Sequence, residues 1–451
     1  MQTKKDHVHA YQTLVGRMSA ALLLGDTNYS EAPARRALMG LVFGVVLALL
    51  IGIGFWVYGL IHPGGNTAWR KQGAILVEKE SGARFVYRDG LLVPMANHAS
   101  AMLAQGQGGK IEMISRASLE GLERGAPAGI PGAPDPVPAA SALVGTPWLV
   151  CLPHTGGTAV RGAGLMSLNA NPDAPSTPLT EAEYLWVGTA SGEQYVVWQG
   201  GKLRLAGPVA AVALGLGNGT PPTAPAAWLA ALPDGPEIGP APVTGGAPVP
   251  VGGTARPVGT VFRQAVANGQ ENFAVLRADG LAPMSRTEAA LLTAGQGTPA
   301  VDIDATAMAA APRSADTSLT TRIPDLLGAR SLPVGQRAFC LRQETNGGTV
   351  LSVPVTAERD FAWIGMNAQL GAYLKPGTGL LAASVPAPAG VKPDRYLITD
   401  RGFKFRLADD EAVKALGLGG VTPRPMAADV LAEIPSGPVL SRSAVFERGR
   451  G

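Results

Sequence analysis

The sequence predicts an α+β protein: a single N-terminal transmembrane helix, then an exported body of four small β-β-α units around a central, mainly-β module with one disulfide. Three observations predict it. Residues 37–61 run for 25 positions without a charge. A strand, a glycine turn, a second strand, a short helix and a closing glycine recur four times along the chain. Two apolar stretches echo each other, and each carries one of the chain's two cysteines.

The uncharged run, ALMGLVFGVVLALLIGIGFWVYGLI, is long enough as a helix to cross a hydrocarbon core of about 30 Å. A cleaved signal peptide competes with this reading, but its apolar region is usually about 7 to 15 residues and ends at a small-residue site. Here the run closes on Phe55, Trp56 and Tyr58, which suit a membrane–water interface. Lys4, Lys5, Arg17, Arg35 and Arg36 precede the span against Asp6, Asp26 and Glu31, and beyond it the first charges are Arg70 and Lys71. That bias predicts a cytoplasmic N-terminus, with residues 62–451 outside. Gly40, Gly44, Ala48 and Gly52 recur every fourth residue and share one helix face, where small side chains let another helix approach closely. The plainer explanation is that glycine is common in membrane helices. In the tail, Val8, Tyr11, Val15, Met18 and Leu22 form an apolar stripe on a helix that Gly25 ends. It is expected to dock on a cytoplasmic partner or to lie on membrane lipid.

The four units occupy residues 85–106, 195–215, 273–295 and 396–417. Their turn glycines are Gly90, Gly200, Gly280 and Gly402, and their closing glycines, Gly106, Gly215, Gly295 and Gly417, follow at spacings of 16, 15, 15 and 15. Asp89-Gly90 and Asp279-Gly280 are favoured hairpin-turn pairs. Ser285 and Glu288 have the spacing of a capping box, and a glycine at the helix end fits a C-cap. One such unit has too little core to stand alone, so the four must pack on one another or on the chain between them. Gly/Pro/Ala-rich stretches at 125–142, 215–258 and 383–393 read as extended, semi-rigid connectors.

In the middle, Leu143-Val144-Gly145 leads to Trp148 and Cys151, as Pro333-Val334-Gly335 leads to Phe339 and Cys340. In an exported chain these two cysteines can pair. The rival is a metal site, since Cys151-Leu152-Pro153-His154 has ligand-like spacing and Cys340 with His98 could complete it; a disulfide needs no further ligand, and no metal is expected. The resulting division is 1–36 cytoplasmic tail, 37–61 transmembrane helix, 62–140 first repeat, 141–182 first part of the central module, 183–260 second repeat, 261–330 third repeat, 331–390 second part of the central module, and 391–451 fourth repeat with the C-terminal tail.

Composition limits the chemistry. With 37 basic and 34 acidic residues the net charge is +3, which leaves no electrostatic footprint for nucleic acid. Of five histidines, His7 and His9 lie in the tail and His62 abuts the span, so only His98 and His154 could serve a triad, and no G-x-S-x-G elbow occurs. The two Gly-Lys pairs, Gly109-Lys110 and Gly201-Lys202, are followed by Ile111 and Leu203 and preceded five positions earlier by Ala104 and Val196, so neither forms a phosphate loop. No catalytic, cofactor-binding or metal-binding residue is assigned.

Several stretches resemble one known family. The tail VHAYQTLVGRMSAALLLGD, the post-span PGGNTAWRKQGAILVEKESGARFVY, SRASLEGLERGAPAGIPGAPDPVP, the cysteine pair and the late IPSGPVLS are similar to EccB, a membrane-core subunit of the type VII (ESX) secretion machinery of actinobacteria. The likeness runs from Val8 to about Ser441 and is most specific at residues 63–70, at 129–135 and at Cys151 with Cys340. It implies a single-pass inner-membrane protein with an elongated periplasmic domain, repeat modules on either side of a central module, and bridged cysteines. The implied partners are the EccC motor ATPase, EccD, EccE, the mycosin protease and other EccB copies. The family has also been described as ATP-hydrolysing, so a weak periplasmic ATPase, with ATP as its only cofactor, is the alternative to a structural role. A peptidoglycan-binding module of the same machinery is a second alternative.

Overall fold

The computed structural model describes residues 4–25, 34–61, 68–70, 73–106, 109–152, 166–266, 269–333, 337–346, 348–358 and 372–447. His62, His154, Val334 and Gly335 lie outside the described residues. The chain divides into two compact units: residues 1–70 with 114–121, and residues 71–113 with 122–451.

The first unit carries two long helices. Lys4–Leu24 ends where predicted, at Gly25, whose φ is +68° and whose N–H donates to the Ala21 carbonyl. Ala34–Ile61 contains an apolar stretch, Ala37–Gly59, long enough to cross a membrane.

In the second unit each predicted hairpin belongs to a four-stranded sheet. The first sheet runs in the order Leu91–Met95, Arg84–Arg88, Ala74–Glu78, Lys110–Ile114, and the third in the order Gly280–Met284, Glu271–Arg277, Val261–Ala265, Val301–Asp302. The second is Gly201–Arg204, Gln194–Trp198, Glu183–Gly188, Arg330–Ser331, and the fourth is Lys404–Leu407, Arg395–Thr399, Gly379–Val385, Arg424–Ala427. The β-β-α expectation was therefore two strands short. A bare hairpin leaves two edges and too little apolar face for its helix, and a strand before the hairpin and another after the helix supply the missing surface. The second sheet closes only at Arg330–Ser331, so the whole third sheet is inserted within it.

A fifth segment lies along the outer edge of each hairpin. Leu92 bridges in parallel to Arg124, Lys202 to Asp234, Leu281 to Arg313 and Lys404 to Ser436, each partner 32 residues on. The first two of these segments, ending at Ala128 and Ile238, run through Gly/Pro-rich stretches read above as connectors. Being extended, they cover hairpin edges that would otherwise expose unpaired backbone.

Local chemistry sets the turns and caps. Asp89 and Gly90 have φ of +53° and +82°, and Gln199 and Gly200 have +45° and +83°, the two-residue turns whose twist matches a hairpin. Gly402, at +77°, sits in a longer turn closed by Thr399 N–H donating to the Phe403 carbonyl. Gly280 departs from expectation: the third turn is Ala278-Asp279, and Gly280 is the first residue of the strand, paired with Arg277. Its missing side chain makes room for the covering segment, since an ideal Cβ there would overlap the Pro312 carbonyl. Gly295 is likewise not the third helix cap. Arg286–Gln296 continues through it to Gly297, at φ +67°, while Gly295 faces Pro240, whose ring would stand 3.1 Å from a Cβ. Only half of the capping box forms: Ser285 Oγ accepts from Glu288 N–H, while the buried Glu288 carboxylate turns to the Arg322 guanidinium at 2.7 Å.

The central sheet has six strands, in the order Ala372–Tyr373, Ser167–Asn169, Trp148–Cys151, Arg337–Asn346, Thr349–Glu358, Ser176–Pro178. Its core merges with the second and fourth sheets through Trp148, Leu185, Trp228, Leu341, Ile398 and Val430. The first sheet packs on the fourth, where Ile75 and Leu103 meet Leu397 and Val413. The third packs on the second, where Leu291 meets Leu203 and Leu214.

Two outcomes are expected. Gly280→Ala should destabilise the second unit by about 1–3 kcal/mol, because the covering segment must move; unchanged denaturant unfolding would contradict the close approach. Cys151→Ser with Cys340→Ser opens a loop of 189 residues and should lose about 5 kcal/mol in the chain-entropy model, read as a lower melting temperature; free thiols found by mass spectrometry of native protein would contradict it.

Candidate functional site

The best-defined side-chain junction lies where the central sheet closes. Cys151 and Cys340 are direct cross-strand partners and form the disulfide. Three pairs along, Trp148 faces Gln343 and donates its indole N–H to Gln343 Oε1 at 2.9 Å. Gln343 passes its own N–H to Ser352 Oγ, and Trp228 donates to the Val150 carbonyl at 3.0 Å. Trp148, Trp228, Gln343 and both cysteines are buried, so the polar groups are matched inside the core, as burial requires. This junction is structural; its disulfide has no free thiolate to react.

The predicted contact surfaces are open. On the tail helix, Val8, Tyr11, Val15, Met18 and Leu22 are all exposed. On the second helix, no atom lies within 4 Å of an ideal Cβ at Gly40, Gly44 or Gly52, and Ala48 is exposed.

His98 opens the helix His98–Gln105, after Asn97, whose side chain accepts from the Ser100 N–H. The imidazole is half-buried and Nδ1 accepts weakly from Val137 N–H at 3.4 Å, beside the Arg84–Asp135 ion pair at 2.9 Å. Burial, and then the Arg84 charge, hold its pKa below the ordinary histidine value, with Asp135 pulling the other way. Among the described residues no group of three His, Cys, Asp or Glu side chains is placed to hold a metal ion.

Both Gly-Lys pairs open strands. Gly109-Lys110 leads into Lys110–Ile114, and Gly201-Lys202 into Gly201–Arg204. The Lys202 ammonium donates to the Leu232 carbonyl at 2.8 Å and pairs with Asp234, just past the short helix Ala226–Ala230. Lys404, which sequence reading missed, repeats the device in the fourth sheet: it is buried, donates to the Leu431 and Ala432 carbonyls at the end of helix Ala428–Glu433, and burial lowers its pKa. The available signal was a lysine two residues after the turn glycine in both units. These lysines satisfy helix-end carbonyls rather than phosphate.

Fold and site together define a membrane-anchored α+β protein whose most elaborate side-chain chemistry holds its modules together. The chain belongs to the EccB family: the model described as "Type VII secretion system ESX-1, transport TM domain B" matches residues 1–448. Among its relatives, "ESX-5 secretion system ATPase EccB5" of Mycobacterium marinum is 26% identical, over 97% of this chain and 92% of that protein. "ESX-3 secretion system ATPase EccB3" of Mycolicibacterium smegmatis is 27% identical, over 97% and 89%. Among solved structures, a chain of an intact ESX-5 inner membrane complex aligns with TM-score 0.58 at 23% identity, covering 99% of this chain and 95% of that one. A chain of the EccB3 dimer from the ESX-3 core complex aligns with TM-score 0.58 at 23% identity, covering 82% and 99%. At that identity the likeness to these structures is one of fold.

His98 gives the candidate region a pH signature. The unfolded chain takes up this proton near pH 6.5 and the folded chain only at lower pH. Between those values the unfolded state binds more protons, so stability falls as pH drops. Melting temperature should decline from about pH 7 to about pH 5.5, and His98→Gln should remove part of that decline; an equal decline in the variant would contradict it.

Proposed function

We propose that this chain is a structural and assembly subunit of a type VII secretion membrane complex, with its N-terminus cytoplasmic, one span in the inner membrane and its body periplasmic. The observation that carries the reading is the family match from residue 1 to residue 448, which takes in tail, span and body alike. The exposed apolar stripe of Lys4–Leu24 is then a cytoplasmic docking helix, and the small-residue face of the span a packing surface within the complex. The implied partners are the EccC motor ATPase, EccD, EccE, the mycosin protease and further copies of this chain; a solved EccB3 dimer supports association between copies. The domain division given above is carried as part of this proposal, with no cofactor assigned.

The relatives' names support one second reading, an ATPase with ATP as its cofactor. Purified full-length chain in detergent should then hydrolyse ATP well above a heat-denatured control, and no turnover together with no nucleotide binding would dismiss it.

For the assembly reading, native mass after gentle solubilisation should show the chain in a complex with identified secretion subunits. Gly40→Leu with Gly44→Leu should lower recovery of that complex while leaving membrane insertion intact. Unchanged recovery would contradict the packing face.

A further inference from the structure

The third sheet breaks a rule that the other three keep. In those three, the covering segment pairs twice with the hairpin's outer strand. Ala128 N–H donates to the Pro94 carbonyl, Ile238 N–H to that of Arg204 and Leu440 N–H to that of Arg406, at 2.8 to 2.9 Å. Two residues on, just past the strand, the chain returns a bond: Ala96, Ala206 and Ala408 donate to the carbonyls of Ala128, Ile238 and Leu440, each 32 residues ahead. In the third sheet the first contact forms, with Leu281 N–H donating to Pro312 and Ser314 N–H to Leu281. The return bond, however, runs from Ser285 N–H to the Leu319 carbonyl, 34 residues ahead.

Two extra residues therefore bow the segment outward around Ala315 and Asp316. The detour is held in place, because Asp279 accepts from Ala315 N–H at 3.0 Å and Arg277 pairs with Asp316 at 3.2 Å. Leu281 directs both backbone groups outward, so the Pro283 carbonyl two residues on points the same way. No backbone or side-chain donor reaches it among the described residues.

A groove of about 760 Å³ opens there, bordered by Pro283, Arg286 and Arg313 over Leu281, Met284 and Met308. Arg286 and Arg313 are exposed and have no hydrogen-bond or ion-pair partner among the described residues. The acidic groups in the groove are already engaged: Glu271 by Arg263 at 3.5 Å, and Asp325 by the Thr287 N–H and hydroxyl. An unpaired strand-edge carbonyl, an apolar floor and two uncompensated guanidinium groups are complementary to one kind of occupant. We infer that this groove binds an extended acidic peptide segment, whose backbone N–H donates to the Pro283 carbonyl in place of the missing strand contact and whose carboxylates meet Arg286 and Arg313.

The test uses the full chain in detergent micelles and a fluorescent, end-blocked peptide GETETEG, read by anisotropy. The expected result is saturable binding, weakened at least tenfold by the lysine counterpart GKTKTKG, by N-methylation of the peptide's backbone amides, and by R286E with R313E in the protein. Those arginines are exposed, and an unchanged melting temperature will verify that the variant is folded. No saturable binding, equal binding by the double variant, or equal binding of GKTKTKG would overturn the inference. Equal binding of the N-methylated peptide, or full displacement by millimolar inorganic phosphate, would also overturn it by showing a site for anions only.

Discussion

After Cys151 the chain adds two more central strands, Ser167–Asn169 and Ser176–Pro178, builds the second and third four-stranded sheets, and places Cys340, 189 residues on, directly opposite Cys151. Outside that pair the same nesting continues, because the first sheet precedes the central module, the fourth follows it, and the two pack together. Closing so long a loop is entropically unfavourable. It is offset at one junction by the disulfide, by the matched Trp148–Gln343 pair and by the buried core shared with Trp228. Beyond that junction, among the described residues, the two parts of the chain are also joined by Ser167–Asn169 with Ala372–Tyr373, Ser176–Pro178 with Thr349–Glu358, Leu143 with Gly379 and Arg330–Ser331 with Glu183–Gly188.

Nesting has a consequence for a membrane subunit. The modules are fixed to one another by apolar cores, while the tail stripe and the small-residue face of the span are left open. Exposed apolar helix faces of this kind mark surfaces for association.

Much of this was legible in the sequence, and the failures have physical causes. The span was readable because lipid admits no unpaired backbone and few charges. The hairpins at Gly90, Gly200 and Gly402 were readable because each turn needs positive φ. Gly280 mimicked them by composition while serving a different need, close passage of Pro312. The fourth strands of the second and third sheets were invisible because Arg330–Ser331 and Val301–Asp302 are two residues long and carry no alternation. Covering segments rich in glycine and proline looked like spacers, since a chain paired along one edge needs extended backbone and little side-chain pattern. Lys404 was missed because a buried lysine is recognisable only once the carbonyls it serves are placed.

Native-state hydrogen exchange of the full chain tests the nested closure most directly. The account predicts that paired amides in Trp148–Cys151 and in Leu341 to Gln343 exchange only through global unfolding, while those of Val261–Ala265 in the inserted third sheet open at lower free energy. Exchange of the central strands as fast as, or faster than, the third sheet would contradict it.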